Sequence, residues 1–255
     1  MSIDKTKQVH SHNYSFLIGR WRILCKQAGL KFFRIGEADA YPCYEICSPA
    51  LSRNEGIYLS AGIHGDEAGG VLGLLQWAEL HRDKLSRIPL LIYPCLNPWG
   101  LENNSRFNPQ GLDLNRVWDG SAIPLIARIM QKIRDYHFRI SVCMHEDYDG
   151  QGIYLYAPGG RPKVRKIADT VLSVAEKIIP RDQRKKIDGR RCTNGMIFPR
   201  PSKPPAEGIP EALFLYEKCG GVNFTLETPS ELGIDRRAAA HACMIEESLK
   251  DYGLT

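Results

Sequence analysis

The stretch that most constrains this chain is Ile88–Leu96, IPLLIYPCL, which is apolar at nearly every position and stops at the turn-forming NPWG. A run this short and this uniformly apolar reads as one strand, and a strand with no polar side needs cover on both faces. That is the situation of a strand inside a sheet flanked by helices. Three further runs have the same character: Ile57–Ile63, Ile140–Met144 and Val222–Leu226. Helical spacing falls between and around them. Val71, Leu74, Leu75 and Ala78 mark a helix running towards His81, and others are expected over Ala122–Tyr136, Val164–Ile179 and Asp235–Tyr252. Near the start, Asn13 can cap a helix carrying Phe16, Leu17, Trp21 and Leu24 that closes near Gly29. Shorter strands are expected at Phe32–Ile35, Tyr44–Cys47 and Gly152–Ala157.

No repeat and no linker interrupts this alternation, and 255 residues suit one α/β domain. The expected fold is a single domain over residues 1–255 with a central mixed, largely parallel sheet flanked by helices. One segment resists the pattern: Pro180–Leu213 loses its periodicity and contains the proline-rich PRPSKPPAEGIPE. Long aperiodic segments on a rigid scaffold commonly carry function, so this one is expected to border the functional site and shape its specificity.

Composition excludes several classes. No apolar run approaches the roughly 20 residues of a membrane span. The polar MSIDKTKQVHSHNYS lacks the apolar core of a secretory signal, so a cytoplasmic protein is expected. Eight cysteines without a C-x-x-C pair read as reduced, mostly buried thiols. The net charge of +5 has one local concentration, RDQRKKIDGRR at Arg181–Arg191. A solvated loop is the simplest reading of it, with a site for an acidic substrate second and nucleic-acid contact third; no nucleic-acid or membrane partner is expected. The sequence leaves the oligomeric state open.

Chemistry concentrates where strands end. In AGIHGDEAGG, His64 and Glu67 flank the end of the run from Ile57, with Gly65 allowing a sharp turn between them. Each has an ordinary explanation, His64 as a satisfied structural histidine and Glu67 as a carboxylate at a helix N-terminus. Together, an imidazole and a carboxylate supply two of the three protein ligands a catalytic zinc takes. His145 follows the run Ile140–Met144, and Glu227 stands at the end of VNFTLE. A buried unpaired carboxylate such as Glu227 costs several kcal/mol unless a charge or metal compensates. In open α/β sheets reactive groups gather beyond the carboxyl ends of the strands, where all of these fall. The aperiodic segment Asn97–Arg116 adds two guanidiniums, Arg106 and Arg116.

In order, HGDE, NPWG with a following R and GLDLNR, HED and TLET resemble the motifs of the zinc carboxypeptidases, the carboxypeptidase A-like metallopeptidases. The resemblance runs from Ile57 to about Glu231. It implies one zinc per chain held by His64, Glu67 and His145, and Glu227 as general base and acid. It further implies Arg106 as the group that polarises the scissile carbonyl, Asn115 and Arg116 as the pair that grips a terminal carboxylate, and Asp113 as the acid orienting His64. Trp99 stands where the family has an acidic residue. The family's mobile-loop tyrosine has no assignable counterpart, Tyr216 being the one candidate.

The activity so implied is zinc-dependent hydrolysis of a peptide or amide bond next to a free carboxylate, of the carboxypeptidase or peptide amidase type, on a small peptide or acyl-amino acid. The alternative is an N-acyl amino acid deacylase of the aspartoacylase/succinylglutamate desuccinylase type, which is similar in its zinc ligands. A non-catalytic binding protein on the same fold is the reading from another class; the intact ligand set and Glu227 speak against it.

Overall fold

The computed structural model describes residues 10–119, 123–200 and 206–252. Helix α1 (Tyr14–Ala28) starts as the sequence suggests, with the Asn13 side chain accepting from the Phe16 N–H, and ends at Gly29 in the left-handed region. The strands are β1 (Lys31–Ala38), β2 (Tyr41–Cys47), β3 (Gly56–Ser60), β4 (Leu90–Tyr93), β5 (Phe138–Asp147), β6 (Tyr154–Tyr156), β7 (Lys186–Ile187), β8 (Arg190–Arg191), β9 (Met196–Ile197) and β10 (Val222–Pro229). The remaining helices are α2 (Ala68–Leu80), α3 (Pro98–Asn103), α4 (Pro124–Ile133), α5 (Pro162–Ala175), α6 (Glu211–Phe214) and α7 (Ile234–Leu249).

Eight strands form one sheet in the order β1-β2-β4-β3-β5-β10-β6-β9, while β7 and β8 make a separate hairpin. The four apolar runs of the sequence are its four central strands, β4, β3, β5 and β10, all parallel to one another. β1 and β2 add an antiparallel edge on one side, and β6 runs antiparallel to β10 on the other. Strand alternation divides the interior into two cores. Ile57, Leu59, Ile140, Val142, Met144 and Leu226 pack under α1, α2, α5 and α7. Tyr58, Leu91, Tyr93 and Cys143 pack on the other face against α4, Trp118, Phe214 and Leu215. Every cysteine is a free thiol, and all but Cys243 are buried.

Several boundaries differ from expectation. The β3 ladder ends at Ser60, because Gly62 adopts φ +62 and turns the chain. β5 runs on through His145 to Asp147, since β10 pairs with it along that whole length. The helix expected from Ala122 starts at Pro124, Ala122 lying outside the described residues. α5 begins two residues early at Pro162, a proline suited to a first turn, and α7 gives way to a 3₁₀ turn at Lys250. The aperiodic Pro180–Leu213 segment is a chain of short pieces, β7, β8, β9 and the start of α6, too brief for any period to register; residues 201–205 lie outside the described residues. Among the described residues no helix is long and apolar enough to cross a membrane.

Candidate metal centre

His64 and Glu67 sit in the turn between β3 and α2. That turn is locked by close backbone contact: a Cβ on Gly65 would lie 1.9 Å from the Gly100 carbonyl carbon, so the loop rests directly on α3. Glu67 occupies the cap position of α2 yet makes no capping bond. Its two oxygens face the two histidines instead, Oε1 at 2.6 Å from His64 Nδ1 and Oε2 at 3.0 Å from His145 Nδ1. The ordinary reading of Glu67 as a dipole-stabilised carboxylate therefore gives way to its partnership with two imidazoles. Parallel pairing places Glu227 directly beside His145. All four side chains are buried.

Among the described residues, His64, Glu67 and His145 are the group whose donor atoms could hold a metal, all within 4.8 Å of one another. Two imidazoles and one carboxylate are a donor set suited to catalytic zinc, with the fourth position open. The electrostatics agree. Burial resists protonation of His64, but the Glu67 carboxylate and the bonds to Asp113 and Glu67 outweigh it and hold the pKa up at about 9. His145 is raised in the same way, and the two imidazoles hold buried Glu67 well below the usual carboxylate range. Positive charge is thus favoured where a cation would sit. Glu227 goes the other way: burial, with Glu67, Asp147 and Asp188 adding and His145 opposing, pushes its carboxyl well above the ordinary value.

Asp113 ties the His64–Glu67–His145 group to an arginine. Its Oδ1 lies 3.1 Å from His64 Nε2, and its Oδ2 accepts from Arg106 Nε and Nη2 at 3.2 and 2.9 Å. Arg106 Nη1 then lies 3.3 Å from His64 Nδ1 and 3.7 Å from Glu67 Oε1. Asp113 also caps the 3₁₀ turn Leu114–Arg116, accepting from the Asn115 N–H at 2.8 Å. Asn115 Oδ1 accepts the Glu211 N–H at 2.9 Å, which leaves the Asn115 amide nitrogen to donate elsewhere. Arg116 stands apart from this centre: Nη1 donates to the Asn115 carbonyl and Nε lies 3.5 Å from Glu207 at the surface.

Three residues to which the sequence assigned no site role, Asn97, Glu211 and Arg184, support the site. Asn97, fully buried, caps α3 by accepting from the Gly100 N–H and donates to the Phe107 carbonyl at 3.1 Å, fixing the loop that presents Arg106. An asparagine followed by proline is a helix-start signal and could have been read as one. Glu211, buried under Asn115, accepts from Tyr58 Oη at 2.5 Å, and burial pushes its carboxyl up. Arg184 pairs with Asp182 and with Asp147, two residues past His145. No local signal marks these long-range contacts. They also show that the Pro180–Leu213 segment touches the surroundings of the site at Asp147, Asn115 and Arg116. Within the basic cluster, Arg181 is buried in ion pairs with Asp169 and Glu176, whereas Lys185, Lys186, Arg190 and Arg191 are exposed. Tyr216 lies against Gly159, where an added Cβ would meet its hydroxyl at 2.8 Å.

Comparison of the whole backbone with solved structures decides the fold. A candidate metallopeptidase from Shewanella amazonensis SB2B superposes with a TM-score of 0.84 over 96% of this chain and 95% of that one, at 22% identity. The chain has a carboxypeptidase-like fold. This carboxypeptidase-like domain also resembles a metallo-carboxypeptidase from Pseudomonas aeruginosa (TM-score 0.62, 15% identity, 95% of this chain and 69% of that one). A third similar structure is the murein-tripeptide amidase of Escherichia coli O157 (TM-score 0.56, 17% identity, 83% and 88% covered). Residues 54–149 match the succinylglutamate desuccinylase/aspartoacylase catalytic domain family. No curated protein sequence matches the chain.

Proposed function

We propose that this domain is a zinc-dependent hydrolase, one ion per chain, that cleaves a peptide or amide bond in a short substrate carrying a free carboxylate. The observation that carries the reading is the buried convergence of His64, Glu67 and His145 from separate segments, with Glu227 in register beside His145. Zinc bound there would supply Lewis acidity and a water of lowered pKa, about 7 in favourable sites.

The rest falls to the chain. Glu227, whose carboxyl burial makes an avid proton acceptor, takes the proton of the attacking water and delivers it to the departing amine. Arg106, with Nε and Nη2 held by Asp113, keeps Nη1 turned towards the ligand set, where it stabilises the oxyanion of the tetrahedral intermediate. The Asn115 amide and the planar Arg116 guanidinium bind the substrate carboxylate, Arg116 exchanging Glu207 for it. The Pseudomonas relative is described in complex with (2-guanidinoethylmercapto)succinic acid, a dicarboxylate, in keeping with a carboxylate-bearing substrate here. Free thiols throughout suit a cytoplasmic setting.

The match of residues 54–149 favours a second reading, deacylation of an N-acyl amino acid. The zinc-loaded protein should be offered dipeptides, peptide amides and N-acyl amino acids, each with a free and an amidated carboxylate. Turnover of free-carboxylate peptides supports the first reading, and turnover of N-acyl amino acids alone supports the second. Equal turnover of free and amidated forms would sink the roles given to Asn115 and Arg116, and turnover of neither would sink the hydrolase reading.

A further inference from the structure

On the face of the sheet away from the ligands, one carboxylate reaches all three segments that build the centre. Glu146 follows His145 in β5, so strand alternation turns it towards α2 and α7. Its Oε2 accepts the Gly69 N–H at 3.1 Å and pairs with Arg237 Nη1; its Oε1 accepts from Thr228 Oγ1 at 3.0 Å. Thr228 in turn lies 3.1 Å from His241 Nε2 on α7. Gly69 is two residues beyond Glu67, and Thr228 adjoins Glu227. Glu146 is therefore bonded to the helix turn that begins at Glu67 and to the residue next to Glu227, and is itself next to His145 in the chain.

The arrangement answers a local deficit. The first N–H groups of a helix lack partners within it, and a side chain at the cap position normally accepts one of them. In α2 the cap residue is Glu67, whose oxygens are committed to His64 and His145. Glu146 takes over that task from a different strand, accepting the Gly69 N–H. The approach demands glycine: a Cβ on residue 69 would sit 2.2 Å from Glu146 Oε1 and 2.8 Å from Arg237 Cβ. Backbone pairing between β5 and β10 sets His145 against Glu227; the turn before α2 rests on α3 through Gly65, and Glu146 adds the bond that ties the first turn of α2 to β5.

We propose that Glu146 is a positioning residue that holds Glu67, His145 and Glu227 in mutual register, so that the ligand set is organised before the metal arrives. The effect on turnover rests on the hydrolase reading above; the effect on metal affinity does not. The test measures zinc affinity of the folded protein by chelator competition, melting of the metal-free protein, and kcat and KM for wild type, Glu146→Gln and Thr228→Val. Glu146→Gln should weaken zinc binding roughly 10- to 100-fold, the usual cost of removing a partner behind a metal ligand, and lower kcat at saturating zinc with KM within about twofold. Thr228→Val removes the hydroxyl that joins Glu146 to the strand of Glu227, together with its contact to His241, and leaves the bond from Glu146 to Gly69 in place, so it should lower kcat and leave zinc affinity within about twofold. If Glu146→Gln melts lower but binds zinc like wild type, Glu146 is merely a stabilising buried acid and the proposal fails. Should Glu146→Gln not fold, Glu146→Asp retains the charge opposite Arg237 while shortening the reach to Gly69, and zinc affinity equal to wild type would overturn the proposal in the same way. If no substrate is ever turned over, the hydrolase reading falls, while the zinc titrations still decide the role of Glu146.

Discussion

Replacing Asp113 by asparagine tests the connection between the proposed metal ligands and Arg106. The substitution preserves shape and removes the charge that His64 Nε2 and the Arg106 fork share. An asparagine oxygen can accept from one of them, and its amide nitrogen must then face the other donor. Hydrogen bonds to charged groups contribute about 1.5–3 kcal/mol. The Arg106 side chain is 37% exposed, so solvent screening reduces its share, while His64 is buried. A loss of about 2 kcal/mol in the metal-bound state is expected, equivalent to roughly 30-fold in zinc affinity at 1.36 kcal/mol per decade. Chelator competition at neutral pH measures the affinity directly, and kcat at saturating zinc reports the separate consequence of a loosened Arg106. Zinc affinity within twofold of wild type, together with unchanged kcat, would show that Asp113 orients neither group.

The metal-free protein should have a pH-dependent stability to which His64 contributes, with His145 shifted in the same direction. The folded pKa of His64, about 9, lies above the usual value near 6.5. The folded state therefore holds the proton more tightly, so the stabilisation is fully present below about pH 6.5 and is lost as pH rises through about 9, on the order of 3 kcal/mol in all. Melting temperatures of the metal-free protein from pH 6 to 10 check this, and zinc affinity should strengthen over the same interval because the metal displaces that proton. Gly65→Ala should be severely destabilising, since its Cβ would meet the Gly100 backbone at 1.9 Å; a melting temperature within a few degrees of wild type would contradict the packing described. Asn97→Ala removes the cap of α3 and the tie to the Phe107 carbonyl, for a loss of about 2–3 kcal/mol in denaturant unfolding and a lower kcat through Arg106. Arg116→Met should raise KM for free-carboxylate substrates by at least about tenfold and leave amidated ones unaffected, in paired kinetic assays.

Much of the architecture was legible locally, because the physics behind it is local. Four apolar runs too uniform for a half-solvated sheet became the four parallel central strands, and Asn13 with Gly29 bounded the first helix as their capping chemistry requires. His64 and Glu67 could be paired on paper, being three residues apart across one turn. The Pro180–Leu213 segment defeated the same method: strands of two residues have no period, and what orders them is contact with distant groups such as Tyr156 and Asp147.

The sequence by itself determined which residue types stand at the strand ends, and through its motifs the chemistry they suit. Only the tertiary structure decided that His145, 78 residues beyond Glu67, shares that carboxylate with His64, because parallel β3 and β5 bring their carboxyl ends side by side. It alone also turned Glu146 to the opposite face to cap the helix that Glu67 cannot. Alternation along a strand is written in the chain, but which helix waits on each face depends on packing between segments far apart in sequence.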